Sequence, residues 1–240
     1  MQAWGNVKTR IIQNEPEPEP SVETEAAAPV VDEREAWLRR ACFLGAVVGY
    51  FIIGAIHPAD LEVGDKTSLY LGIHLFQLVL ILLIAWGIWL LVKDLPGRAA
   101  KVARVAILPY AIVYSAFDAI AGVAIGIIIR EANGLSTAEG AAVQRVFDDS
   151  DGVTEAITAA FWAGGGLTWF VMALAAAIAV KPIGGLGPTL LMAIGAAIFA
   201  VGHPFPPGPI GIALFGLGIA WLEVRRERAP ATEAQPALVP

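Results

Sequence analysis

The sequence predicts an all-α, polytopic transmembrane bundle of six helices, on three observations. Six long apolar stretches recur along the 240 residues. Only 16% of residues are charged and the mean hydropathy is +0.66, whereas a soluble globular chain carries about 25% charged residues. The basic residues, finally, gather at alternate ends of those stretches. The environment implied is a lipid bilayer. The net charge of −6 resides mostly in tails and one connection and points to no nucleic-acid partner.

Taken in order, residues 1–36 hold an acidic, proline-rich run from Glu15 to Pro20 and further acids at Glu23, Glu25, Asp32, Glu33 and Glu35. Such a composition buries no core, so a disordered tail is expected. It lacks the basic start and early apolar run of a signal peptide, and the first span is therefore expected to stay uncleaved. The spans follow at 41–56, 69–92, 105–129, 156–180, 188–202 and 210–222, against the roughly 20 helical residues that cross a bilayer core. They make one domain over 37–224, followed by a second short, disordered tail over 225–240. In the long connection from Arg130 to Glu155, Ser136 and Glu139 have capping-box spacing for a short helix up to about Phe147. The acids Asp148, Asp149 and Asp151 are out of register with an EF-hand loop and read as a solvated turn.

Charge sets the expected orientation. Arg34, Arg39 and Arg40 precede the first span, and Lys93, Arg98, Lys101 and Arg104 fill the second connection. Lys181 lies in the fourth, and Arg225, Arg226 and Arg228 follow the last span. Only Lys66, Arg130 and Arg145 lie near the other side. Both termini are expected in the cytoplasm, with Trp37, Trp86, Trp89 and Trp221 near that interface. Alanine-rich spans and an alanine- and proline-rich end fit a bacterial inner-membrane protein. The single cysteine, Cys42, permits neither an intramolecular disulfide nor a cysteine metal cluster.

Asp118 stands near the midpoint of the third span, where an exposed carboxylate would cost several kcal/mol. It is expected to face the bundle. Tyr110, Tyr114, Asp118, Gly122 and Gly126 recur every four residues, giving a polar stripe and then a small-residue notch along one face. Two readings stand: a protonated acid hydrogen-bonded to a neighbouring helix, or a proton-carrying or ligand-binding acid in an internal cavity. Two other small-residue faces, Ala41-Gly45-Gly49 and Gly164 to Gly166 between Trp162 and Trp169, read as helix contacts.

The only histidines are His57, His74 and His203, and the topology puts all three towards the outer leaflet. Imidazoles from separate helices at one depth are candidate ligands for zinc or copper, and two of them could clamp a haem. Tyr70 and Gln77 share the His74 face as candidate supporting partners. His57 and His203 each precede a proline and each follow a glycine eight residues earlier. That spacing, with Ile84-Ala85-Trp86 echoed by Ile219-Ala220-Trp221, is compatible with a parallel repeat relating the first and last span pairs. Against a ligand role, no short metal-binding motif is present.

Three histidines, Asp118 and Ser115 make a set similar to that of the alkaline ceramidase and progestin-receptor-like membrane hydrolases. That group has seven spans, a serine four residues before its first histidine and paired histidines on its last helix. Here Ile53 and Tyr70 precede His57 and His74 by four, and His203 stands alone on its span. Membership does not follow. Three function classes remain: an outer-leaflet histidine site for a metal or haem, a small transporter or proton-coupled carrier centred on Asp118, and a non-catalytic protein assembling with a membrane partner or a second copy.

Overall fold

Two glycines in the left-handed region break the helices at the basic end. Gly97 (φ +95°) precedes the third helix, and Gly185 (φ +76°) separates two later ones. The computed structural model describes residues 33–58, 62, 67–148, 153–202 and 207–228. Among them all regular structure is helical, with no strand. The helices are α1 (Glu33–Ile56), α2 (Thr67–Val92), α3 (Arg98–Ala132), α4 (Thr137–Asp148), α5 (Val153–Gly184), α6 (Leu186–Val201) and α7 (Pro207–Arg228). Within α3 the segment Asp118–Ala124 is a π-helix.

Five helices, α1, α2, α3, α5 and α7, are long and apolar enough to cross a membrane. The stretch expected as the fifth span is α6, whose 16 residues rise only about 24 Å against a core of about 30 Å. The observed helices also run past the apolar stretches. The first turn of α1 falls within the stretch expected as tail, while residues 1–32 and 229–240 lie outside the described residues.

Six helices close a ring in which α1 packs on α2, α2 on α3, α3 on α5, α5 on α6, α6 on α7 and α7 back on α1. Its interior is apolar and aromatic, built around Phe43, Ile84, Tyr110, Trp169, Phe199 and Phe215. The outside is equally apolar: Val48, Leu82, Leu108, Leu167, Ile194 and Leu217 are all exposed. A water-soluble bundle covers such a belt with polar residues, so the exposed faces are compatible with a membrane protein.

Glycine permits the closest approach between α6 and α7. A Cβ on Gly195 would lie 2.4 Å from the Phe215 backbone nitrogen, and one on Gly211 would lie 2.4 Å from that of Phe199. The α5 helix continues unbroken through Gly164, Gly165 and Gly166. These would press a Cβ on Val113, Tyr114 and the Ala200 carbonyl respectively. They form a contact face, as expected. Trp169 is buried and donates Nε1–H to the Ala196 carbonyl at 3.0 Å, while the side chain of Trp162 lies outside the described residues. On α1 the small-residue face is only partly used. Gly49 meets Leu80, whereas Gly45 has nothing within 4 Å.

Helix ends at the basic side are tied by side chains. Arg104 donates from one guanidinium nitrogen to the carbonyls of Val92, Lys93 and Leu95 at 2.8, 3.1 and 2.9 Å, covering the open carbonyls that end α2. Arg225 does the same for Gly184 of α5 at 2.9 Å. At the start of α4, Ser136 N–H and Oγ–H both donate to Glu139 Oε2 at 3.1 and 2.6 Å. The expected capping box is therefore present.

Those donors hold the Glu139 carboxyl below its ordinary value. A group lowered on folding stabilises the folded form above its unfolded pKa, and the effect is lost as pH falls through the folded pKa. The first turn of α4 is expected to fray as pH falls below the ordinary glutamate range and to stay ordered at neutral pH. Backbone chemical shifts of residues 136–140 check this. A Glu139→Gln variant whose fraying kept the same pH dependence would contradict the assignment.

Candidate functional site: a buried Asp-His-His chain

The π segment places Asp118. In an unbroken α-helix a four-residue spacing drifts about 40° per step, and the wider i→i+5 turn counters that drift at Asp118. Tyr110, Tyr114, Asp118, Gly122 and Gly126 are accordingly all buried on the side facing the bundle. Asp118 is fully buried, and its Oδ1 lies 2.7 Å from Nδ1 of His74 on α2. Glycine is required opposite that imidazole, since a Cβ on Gly122 would fall 2.2 Å from both Cγ and Nδ1 of His74. Gly126 makes the same allowance for Leu71 and Tyr70.

The chain continues outward. His74 Nε2 lies 3.2 Å from Nε2 of His57, just past the end of α1, and His57 Nδ1 lies 2.6 Å from the Pro58 carbonyl. Tyr70 walls both rings, with centroids 4.4 Å from His74 and 5.5 Å from His57. It is anchored by the π turn itself. The Ile125 N–H reaches Ile120 and Gly122 instead of Ala121, and the Ala121 carbonyl accepts the Tyr70 hydroxyl at 2.9 Å.

These contacts define three positions for protons along the chain. A carbonyl only accepts, so His57 Nδ1 carries hydrogen and donates to Pro58. One proton must lie between His74 Nδ1 and Asp118 Oδ1, because both otherwise present lone pairs. The third must lie between the two Nε2 atoms for the same reason. Three positions need three protons, whereas an ionised aspartate and two neutral imidazoles supply two. With a hydrogen bond at all three positions the chain would hold one further cation, and the three groups together would be neutral.

Beyond that contact, Asp118 Oδ2 and Gln77 Nε2 have no hydrogen-bond partner among the described residues, and the Tyr50 and Tyr110 hydroxyls lie against each other in the same region. A cavity of about 10 Å³ touches Tyr50, His57, Gln77 and Phe199, room for about one water molecule. Tyr70 and Gln77 both occupy positions beside the histidines. His203 lies outside the described residues.

Among the described residues no group of three or more His, Cys, Asp or Glu side chains is placed to hold a metal ion. The two imidazoles alone define an angle. With metal–nitrogen bonds of about 2.0–2.1 Å, their 3.2 Å separation subtends roughly 100° at a shared ion. Axial haem ligands instead stand on opposite sides of the iron with nitrogens about 4 Å apart and a porphyrin between them. The His57–His74 pair does not fit a haem clamp.

A second polar cluster has no counterpart in the sequence expectations. Glu223 on α7 accepts a two-pronged contact from Arg39 at 3.0 and 2.9 Å, a third bond from Arg40 at 3.2 Å and a fourth from Arg226 at 3.2 Å. Arg40 also reaches Glu227 at 2.7 Å. The Arg39 and Glu223 side chains are 7% and 8% exposed. The available signal was a lone acid in the last apolar turn, three residues before an arginine.

No protein-family model matches this chain, and neither curated proteins nor solved structures give a match.

Proposed function

We propose that this chain is a multi-pass membrane protein that binds one proton in the Asp118–His74–His57 chain and passes it between the outer surface and the bundle interior, as the proton site of a small proton-coupled carrier. The 3.2 Å approach of the two Nε2 atoms carries the reading, because two lone pairs at that distance need a cation between them. With the excess proton on His57, its Nε2–H donates to His74 Nε2, and Asp118 is ionised. The Nε2 proton then passes to His74 while the His74 Nδ1 proton passes to Asp118 Oδ1. One proton has moved inward, and the chain remains neutral.

Six crossings, with α6 included, support the reading that both ends face the cytoplasm. Arg39 at the start of α1 touches Glu223 at the end of α7, a contact that an even number of traverses accounts for. The cations of α1, α2, α3, α5 and α7 then share one end, as the positive-inside rule asks and as a bacterial inner membrane would impose.

The test is proton flux into vesicles containing the reconstituted chain and a trapped pH dye, under an imposed inside-negative potential. Wild-type flux well above that of empty vesicles is expected, with loss in Asp118→Asn, whose amide keeps the shape but accepts no proton. Equal flux in wild type and Asp118→Asn would overturn the reading.

A second reading replaces the central proton by a zinc or copper ion on His57 and His74, with His203 as a further ligand. The near-tetrahedral angle favours it, as do the Pro58 carbonyl and Asp118 carboxylate behind the rings, the usual supports of metal-bound imidazoles. Near-stoichiometric metal in the purified chain, lost on replacing the three histidines by alanine, would select this reading over the first.

A further inference from the structure

We infer that the groove between α3 and α5 at the basic end of the bundle binds an anionic phospholipid. Its phosphate would sit on Arg98, Lys101 and the first-turn amides of α3, and an acyl chain would lie along the apolar floor.

Charge separates three of the grooves that the described residues form on the apolar flank. The groove between α1 and α7 contains Arg39 and Arg40, but also Glu223 and Glu227. The groove between α2 and α3 is uncharged, with Trp86 and Trp89 in its wall. The third, of about 600 Å³, joins Arg98 and Lys101 at one end to Val102, Val105, Pro109 and Leu167 along its length, with no acid among its lining residues. Neither cation makes an ion pair or side-chain hydrogen bond with a described residue. The neighbouring acid, Asp94, is turned to Lys93 at 3.4 Å, and Arg104 is committed to the end of α2.

The start of α3 shows an independent deficit. Gly97 at its N-cap supplies no side-chain hydrogen bond, and the first turn contains no acid. A helix N-terminus leaves amide donors unsatisfied and favours negative charge, yet here it carries two cations. That combination destabilises a helix start unless an anion completes it, and a phosphate suits both the open amides and the arginine fork. The floor explains why the anion should bring an acyl chain. Val102, Val105, Leu167 and Val171 are exposed and run from the cations towards Pro109, which has no amide to bond the preceding turn. Basic pockets between membrane helices bind anionic headgroups in this manner. The inference rests on the membrane reading and is independent of the proton site.

The test is native mass spectrometry of the full chain in detergent, equilibrated with phosphatidylglycerol or phosphatidylcholine of matched acyl chains. One retained phosphatidylglycerol per chain is expected, preferred over phosphatidylcholine on the order of thirtyfold for two surface cations. The preference should vanish in Arg98→Gln/Lys101→Gln, with circular dichroism checking that the helices persist. Val105→Trp, which narrows the groove without touching a charge, should weaken retention as well. Equal retention of the two lipids, or unchanged preference in the double variant, would overturn the inference. Displacement of the lipid by equimolar glycerol phosphate would show a free-anion site and overturn it too.

Discussion

Glu223→Ala is expected to destabilise the helical body by about 3–5 kcal/mol, since it leaves buried cations facing an empty position. Glu223 neutralises Arg39 through two parallel bonds and also holds Arg40 and Arg226. Arg39 is buried where α1 packs against α7. Removing both charges is a different matter, because the desolvation cost of an ion pair roughly cancels its attraction. Arg39→Met/Glu223→Met should therefore lose much less than Glu223→Ala, with Arg40 keeping Glu227. Unfolding in mixed micelles of rising dodecyl sulfate fraction, followed by helicity, measures both. Equal losses would mean that the pair is solvated and contributes only packing.

Gly122→Ala is expected to dismantle the proposed proton site without altering any titratable group. The new methyl would stand 2.2 Å from His74 Cγ and Nδ1, so the imidazole has to leave the atom that bonds Asp118. Overpacking alone costs about 1–3 kcal/mol, and the displacement should reduce proton flux on the order of a hundredfold. The histidine spectrum gives a direct check: ¹⁵N resonances should lose the coupled Nε2 pair. Gly72→Ala, on the same helix as His74 but with nothing within 4 Å, should change neither quantity. A Gly122→Ala variant retaining both flux and the coupled resonances would place the active proton elsewhere.

Much of this site was legible in the sequence because a bilayer makes polarity conspicuous. An acid at mid-span had to face inward, and the stripe from Tyr110 to Gly126 indicated which side of the helix would do so. The capping box at Ser136 and Glu139 was legible because all its parts are local. The contact between Asp118 and His74 was not, since it depends on how two helices are rotated against each other. Nor was the π turn. Its signature is a shift in backbone hydrogen bonding, and alanine, glycine and isoleucine accommodate either register. Arg39 and Glu223 are 184 residues apart, and the arginine read only as a topology marker. At 16 residues α6 matches the apolar stretch expected there and is short only against the bilayer core; such a stretch (188–202) looks the same whether it crosses alone or leans on a partner. Gly195 and Gly211 let it lean on α7.

The line from His57 at a helix end to Asp118 at mid-span has an electrical consequence. In the proposed orientation it runs partly along the membrane normal, so the proton's move inward is a displacement of charge through the transmembrane field. A full crossing is worth about 2.3 kcal/mol per 100 mV, and this move collects a share of it. An energised membrane, negative inside, would draw the proton towards Asp118, and a collapsed potential would release it back to His57. The same three side chains would then report voltage as well as pH.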